Sequence, residues 1–338
     1  MKETIFLTNE LKNLFSSGDF FSIAENIEGK IFRKTANRIT KEFTFEGDRY
    51  FIKLHYGVGW KEIFKNIFKF RTPTIGASPE WKALKKLRSL GIECPEPVGF
   101  YSSGINPANL RSFLITRSLI NTISLEEALK KRKFQKLSFS KKREFIEKIA
   151  LISRNLHNSG INHRDYYLCH FHVDKDMDVN KSIYLIDLHR AQLRSFVPTR
   201  WASKDIGGLI HSAMGFDLSE KDFYRFMRTY LDCSIKESFQ AHSTFLKTTR
   251  NRAFRMFMSP LLKEINIKDE EREGSESDYI TGKGEGRRWI AKKQFFNEGL
   301  SEVISNPDEF MSKGEEVKFE AGNHVVGLDL PNHSIFIK

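Results

Sequence analysis

Residues 31–54 alternate apolar and polar side chains. In "KEFTFEGDRYFIKL", Phe43 and Phe45 sit between polar neighbours and a Gly47-Asp48 turn follows, which predicts antiparallel strands. Over residues 78–91 the period becomes helical. Leu84, Leu87 and Leu90 form the apolar face, Ser78 is the candidate cap, Pro79 suits the first turn, and Gly91 ends the helix. Two strand-like segments follow at 97–101 and 112–119. Ser124 with Glu127 reads as a capping box opening a short helix. A long helix runs through "REFIEKIALISRNLHNSG", with Ile146, Ile149, Ala150, Ile152 and Leu156 inward and Gly160 as its stop. "FHV" and "SIYLID" read as a hairpin around the polar turn 174–182. The rest to about residue 260 reads as helix, including Ser219–Leu231 with Asp222 three residues after its cap. Strands first and helices afterwards predict an α+β chain of two lobes.

The expected divisions are a small β-rich lobe over 1–117, a mostly helical lobe over 118–262, a polar linker over 263–288 and a C-terminal extension over 289–338. The linker rests on "KDEEREGSESDYITGKGEGRR", which is Gly-rich and nearly free of apolar residues. The last 21 residues, "KFEAGNHVVGLDLPNHSIFIK", can be laid without gaps on residues 33–53, ending "FIK" on Phe51-Ile52-Lys53. Few positions agree. Coincidence and a truncated second copy of the first strands are the two readings of that overlay.

With 338 residues, 40% of them apolar and thirty of them phenylalanine, the chain can bury a sizeable core. No run approaches the roughly 18 uncharged apolar residues of a membrane-spanning helix. The opening "MKETIFLTNELKNLF" lacks the apolar stretch of a signal peptide, so export is not expected. Cys94, Cys169 and Cys233 are too few and too scattered for a disulfide framework, which suits a reducing cytoplasm. The net charge of +12 is unevenly placed: residues 130–143 carry eight basic side chains and no acid. Arg190, Arg194, Arg200 and Lys204 form a second acid-free run. Such runs suit polyanions such as an anionic bilayer or an acidic protein, and equally a solvated loop. No nucleic-acid reading module accompanies them, so nucleic acid is not an expected partner.

The chemistry is concentrated in two motifs. His163-Arg164-Asp165 lies in "GINHRDYYLCHF", and Asp187 stands 22 residues after Asp165 in "SIYLIDLHRAQLR". An aspartate in a loop after a helix stop can receive a hydroxyl proton, and one closing a strand can hold a magnesium ion beside nucleotide phosphates. A capping Asp and a strand-end Asp account for each alone, but less well for both in this order. Lys53, between apolar Phe51-Ile52 and Leu54, is either a solvated strand end or a phosphate ligand. Glu80, four and seven residues before Leu84 and Leu87, projects to the buried side of its helix, where a carboxylate needs a cation. A strand lysine paired to a helix glutamate is the kinase device for gripping ATP phosphates. Asp205, in "SKDIGGL", is expected to brace the catalytic loop.

His170 stands five residues after Asp165, where protein kinases carry a metal-binding asparagine. It is a candidate metal ligand or an orienting group for Asp165. His163, His170, His172 and His189 match no compact zinc spacing. Only 18 residues separate Asp187 from Asp205, too few for a peptide-docking activation segment, so a small or lipid-linked acceptor is expected. There is no G-x-G-x-x-G. In "GVGWKEIFKNIFKFR", Trp60, Ile63, Phe64, Ile67 and Phe68 share one helical face, and Lys61, Lys65 and Lys69 another. Trp60, Phe64 and Phe68 are thereby candidate membrane contacts, or else pack on the lobe.

"HYGVGWKEIFKN", "GINHRDYYLCHF" and "LIDLHRAQLR" resemble the Gram-negative lipopolysaccharide core heptose(I) kinases, from about residue 30 to about 260. The resemblance implies a bilobal protein-kinase-like fold and use of ATP and Mg²⁺. It implies phosphorylation of an inner-core heptose of lipid A–core, on the cytoplasmic face of the inner membrane. It further implies Asp165 as the catalytic aspartate, Asp187 (with His170) on the metal, and Lys53 with Glu80 on the nucleotide. Arg190, Arg194 and Arg200 are candidates for acidic sugars beside the acceptor. Acyl carrier protein is a partner of some members and would suit a basic surface. Kinases of Kdo or of aminoglycosides, and a catalytically silent membrane-binding module, are the competing readings.

Overall fold

The computed structural model describes residues 3–16, 18–68, 75–216, 218–270, 279–284, 287–292, 296–320, 323–330 and 333–337. Lys69 and residues 271–278, on which parts of the basic stripe and the linker fall, lie outside them. The chain divides into two compact units, residues 1–257 and 258–338.

The first unit opens with a six-stranded antiparallel sheet. Its strands are β1 (Glu3–Leu7), β2 (Lys30–Thr35), β3 (Arg38–Phe45), β4 (Asp48–Tyr56), β5 (Pro97–Ser103) and β6 (Arg111–Arg117), in the order β1-β5-β6-β4-β3-β2. Period-two alternation decides its faces. Phe43, Tyr50, Ile52, Leu54, Phe113 and Ile115 are buried together with Leu11, Phe15 and Phe21, the last on helix α1 (Phe20–Asn26). Helix α2 (Gly59–Phe68) follows β4, and α3 (Ser78–Ser89) buries Trp81, Ala83, Leu84 and Leu87. Ser78 is not the cap. Ala77 holds that position without a side-chain bond, Ser78 is already helical, and Pro79 fills the first turn where its missing N–H costs nothing.

The second lobe begins with β7 (Thr122–Ser124) and α4 (Leu125–Lys130), where the Ser124 hydroxyl accepts from the Glu127 N–H. Helix α5 (Phe139–Asn158) starts earlier than the apolar period suggests. Ser138 caps it, so part of the basic run is helix rather than loop. Gly160 ends it at φ +76°, and any Cβ there would run into the Arg194 carbonyl, so no other residue fits. Then come β8 (Ile161–Asn162), β9 (Phe171–Asp174), β10 (Tyr184–Leu185) and β11 (Gln192–Leu193). β9 pairs with β10, as the hairpin reading expects, and β11 returns to β8. Helices α6 (Thr199–Ala213), α7 (Glu220–Leu231), α8 (Ile235–Ala241) and α9 (Ser243–Glu270) complete the run, α7 starting at a Ser219/Asp222 capping box. A second core joins α3 to this lobe through Leu84, Leu87, Phe145, Ile149, Tyr166, Phe171, Leu185 and Ile206.

The second unit contains more order than its composition suggests. Within the stretch expected to be linker, α9 continues to Glu270 and β12 (Tyr279–Gly284) pairs with β13 (Arg287–Lys292). Helices α10 (Glu298–Ser305) and α11 (Pro307–Lys313) precede a three-stranded meander, β14 (Glu315–Glu320), β15 (Asn323–Leu330) and β16 (His333–Ile337).

Candidate active site

The alternation that sends Ile52 and Leu54 into the sheet's core turns Lys53 to the opposite face. There its Nζ lies 2.5 Å from Glu80 Oε1 and 3.2 Å from Asp187 Oδ1. Glu80, in the first turn of α3, is buried. Burial alone would discharge Lys53, but the two carboxylates outweigh it and raise its pKa above the usual lysine value. The ammonium is therefore permanent.

Asp187 follows β10 in the left-handed conformation, φ +60° and ψ +53°, and heads the single turn Leu188–Arg190. His189 Nδ1 is 2.8 Å from its Oδ1, and His170 Nε2 is 3.6 Å from its Oδ2. Burial pushes the Asp187 carboxyl up. The His189 hydrogen bond and the fields of Lys53, His189 and His170 overrule it and hold the acid far below the usual range. The other ring nitrogen of His170, Nδ1, is 2.6 Å from the Asp165 carbonyl oxygen. A carbonyl only accepts, so Nδ1 donates its proton there, and the other ring nitrogen, Nε2, is the one that faces Asp187. His170 thus bridges the two aspartate segments.

Asp165 lies on the loop after β8, and Asp205 on α6 holds that loop. The Asp205 carboxylate accepts from the His163 N–H at 2.6 Å and from the Arg164 N–H at 2.9 Å. His163, kept neutral by burial, donates from Nε2 to the Ile186 carbonyl at 3.0 Å. This ties the loop carrying Asp165 to the segment that ends in Asp187. Asp165 Oδ1 itself is gripped by Arg190 Nη1 at 2.6 Å.

Lys53, Glu80, Asp187 and His170 are therefore in one contact network, with Asp165 joined to it through the His170 ring. The three arginines separate. Arg190 pairs with Asp165. Arg194 bonds Asn162 Oδ1 at 3.2 Å, and both Arg194 and Arg200 lie over the Trp201 ring at 5.5 and 5.6 Å. Lys204 joins them at 4.1 Å, and Arg252 donates to the Lys204 carbonyl. Burial and the neighbouring Arg200, Arg252 and Arg164 charges depress the Lys204 pKa. Among the described residues no carboxylate forms an ion pair with Arg164, Arg194, Arg200, Lys204 or Arg252. Sequence reasoning missed this enlarged cationic group, although Trp201 amid basic residues was its visible signal.

Asp187 Oδ2 and His170 Nε2, 3.6 Å apart, could together hold one divalent cation whose other ligands would be phosphate oxygens and water. Among the described residues no cluster of three or more His, Cys, Asp or Glu side chains would hold a metal unaided. On α2 the expected stripe divides. Ile63 is buried, whereas Trp60, Phe64 and Phe68 are 48%, 50% and 81% exposed.

The lipopolysaccharide kinase (Kdo/WaaP) family matches residues 24–230. The chain is 36% identical over 253 residues to the lipopolysaccharide core heptose(I) kinase WaaP of Escherichia coli K12, covering 74% of this chain and 96% of that one. It is 33% identical over 256 residues to the WaaP of Pseudomonas aeruginosa, covering 75% and 96%. Among solved structures, WaaP in complex with acyl carrier protein superposes with a TM-score of 0.65 at 29% identity, over 75% of this chain and 99% of that one. With the family matched over most of the first unit and the kinase constellation assembled there, the chain belongs to the lipopolysaccharide kinase (Kdo/WaaP) family.

Proposed function

We propose that this protein transfers the γ-phosphate of ATP to a heptose hydroxyl of lipid A–core. The reading is carried by one observation: Lys53, Glu80 and Asp187 meet within 3.2 Å, and a single imidazole links them to Asp165. Lys53, held by Glu80, steadies the nucleotide phosphates. Asp187 Oδ2 and His170 Nε2 hold Mg²⁺, which supplies charge neutralisation for the phosphoryl group when bound. Arg190 occupies Oδ1 of Asp165, so Oδ2 is left to orient the sugar hydroxyl and take its proton. Among the described residues no carboxylate forms an ion pair with Arg194, Arg200, Lys204, Arg164 or Arg252, and these cations suit the carboxylates and phosphates of an inner-core acceptor. A Kdo hydroxyl is the second acceptor to assay, because the family description joins Kdo to WaaP.

Such an acceptor is membrane-anchored. Among the described residues no helix is long and apolar enough to cross a membrane. The three exposed aromatics of α2 would instead rest at the inner face of the inner membrane, with flanking lysines on anionic headgroups. Acyl carrier protein is a further proposed partner, since the solved WaaP carries it and a chain of net charge +12 suits an acidic protein.

The test is transfer of labelled γ-phosphate to purified core lipids. Heptose-bearing lipid A–core is expected to be labelled and heptose-less Kdo–lipid A is not. Mass spectrometry of core lipid from a deletion strain, with and without complementation, is expected to show the same phosphate lost and regained. Equal labelling of the heptose-less lipid overturns the acceptor assignment.

A further inference from the structure

The second unit repeats the backbone of the first unit's opening at a constant offset of 285 residues. Adding 285 to β2 (Lys30–Thr35) gives β14 (Glu315–Glu320), and adding it to β3 (Arg38–Phe45) gives β15 (Asn323–Leu330). The first residue of β4, Asp48, likewise maps onto the first residue of β16, His333.

Pairing follows the same offset. Lys30↔Glu42 becomes Glu315↔Gly327, Arg33↔Thr40 becomes Lys318↔Val325, and Thr35↔Arg38 becomes Glu320↔Asn323. On the other side of the middle strand, Lys41↔Ile52 becomes Val326↔Ile337 and Phe45↔Asp48 becomes Leu330↔His333. Both first pairs break register at the equivalent place, between Ile31 and Arg33 and between Glu316 and Lys318. A bulge inserts one residue and flips the face of everything beyond it, so its position is a specific feature and not a general property of hairpins.

Three further marks agree. A short helix precedes each meander, α1 before Gly29 and α11 directly before Gly314. At both glycines a Cβ would collide with the middle strand: with the Glu42 carbonyl at Gly29, and with a Val326 methyl, then the Gly327 carbonyl, at Gly314. The positions buried in the first lobe, Lys41, Phe43, Tyr50 and Ile52, are occupied in the repeat by Val326, Leu328, Ile335 and Ile337, all apolar, and Val326 is buried.

We infer that residues 306–338 are a second copy of the first lobe's opening, built to roof a nucleoside triphosphate, and not an appendage of the catalytic unit. In the first lobe β4 carries the lysine proposed for the phosphates, and in sequence Phe336-Ile337-Lys338 falls on Phe51-Ile52-Lys53. The inference rests on the nucleotide site proposed for the first lobe.

Two full-length chimaeras test it. One carries residues 314–337 in place of 29–52, with Lys53 kept. The other carries 313–336 in the same place, a one-residue slip that turns inward positions outward. Thermal melting is followed with and without Mg²⁺ and a non-hydrolysable ATP analogue. The in-register chimaera is expected to melt in one transition and to keep at least half of the wild-type nucleotide shift. The slipped one is expected to lose both. An in-register chimaera no better than the slipped one overturns the inference. If the wild-type chain shows no nucleotide shift, the proposed function fails instead, and the folding comparison alone decides the copy. Amide hydrogen exchange on the unaltered chain gives a readout that needs no chimaera. Protection is expected across β14, β15 and β16 with a gap at Val317, matching Phe32 in the first lobe. No protection over 315–337 overturns the inference as well.

Discussion

Asp205→Asn exchanges one carboxylate oxygen for an NH₂ group and tests how the catalytic loop is held. The carboxylate receives the His163 N–H at 2.6 Å on one oxygen and the Arg164 N–H at 2.9 Å on the other, and it is buried. An amide has one acceptor oxygen, so one of these bonds is lost and an NH₂ group is set against a backbone N–H. A hydrogen bond to a charged group contributes about 1.5–3 kcal/mol, and a buried donor left unsatisfied costs a similar amount. The expected loss is therefore about 2–4 kcal/mol, large against the roughly 5–15 kcal/mol of a whole domain but not enough to unfold it. The catalytic effect is larger than the loss of stability suggests. Asp165 follows Arg164 directly, and misplacing a reacting group by about 1 Å can cost on the order of 100-fold in rate. Urea denaturation with circular dichroism measures the first quantity. Single-turnover phosphate transfer measures the second, with the affinity for ATP expected to hold because Lys53 and Glu80 are untouched. A variant within about 0.5 kcal/mol of the parent and equally active would refute the bracing argument.

Asp165→Ala is expected to lower transfer by about 10²–10⁴-fold, the usual contribution of a positioned base, with the melting temperature unchanged; normal turnover would mean the base is misassigned. Phe64→Ser with Phe68→Ser removes two largely exposed rings and is expected to weaken sedimentation with anionic vesicles at least about tenfold, since burying one such side chain contributes about 1.5–3 kcal/mol. Unchanged binding would return α2 to a purely structural role. Stability is expected to fall in acid through His55, which burial and the Arg38, Lys53 and His189 charges push down to about 3. The unfolded chain takes up this proton below its ordinary value of 6.5 while the folded chain refuses it. His55 therefore costs stability as pH falls from about 6.5 towards 3, about 2 kcal/mol by pH 5. Urea titrations at pH 7 and pH 5 should show this slope, and it should flatten in His55→Gln.

What could be read from the chain was local. Alternation around Phe43 and Tyr50, the Gly91 and Gly160 stops, and the two aspartate motifs each lie within a few residues, where backbone sterics and side-chain period act directly. Arg190 could not be placed that way. Its position beside Asp165 depends on β11 returning to pair with β8, Gln192 opposite Asn162, a contact across thirty residues. The same return brings Arg194 to Asn162 and, with α6, gathers the cations around Trp201. Charge runs alone did not separate a solvated loop from a gathered site, since the 130–143 run became partly helix while the shorter 190–204 run became the cationic group.

The C-terminal repeat explains a different kind of illegibility. Over residues 29–53 and 314–338 only five of 25 positions are identical: the glycine, one alanine and the closing Phe-Ile-Lys. Identity at that level carries no weight by itself, and on the letters alone coincidence is the better reading of the gap-free overlay. Strand register answers to coarser requirements. A sheet face needs an apolar residue at every second position, which Val, Leu and Ile satisfy as well as Phe and Tyr do. A bulge needs one surplus residue, and the close approach at the strand start needs a glycine. These requirements survive substitution at nearly every other site. A constant offset in strand ends, pair partners and bulge is for that reason stronger evidence of common construction than the residues that happen to match.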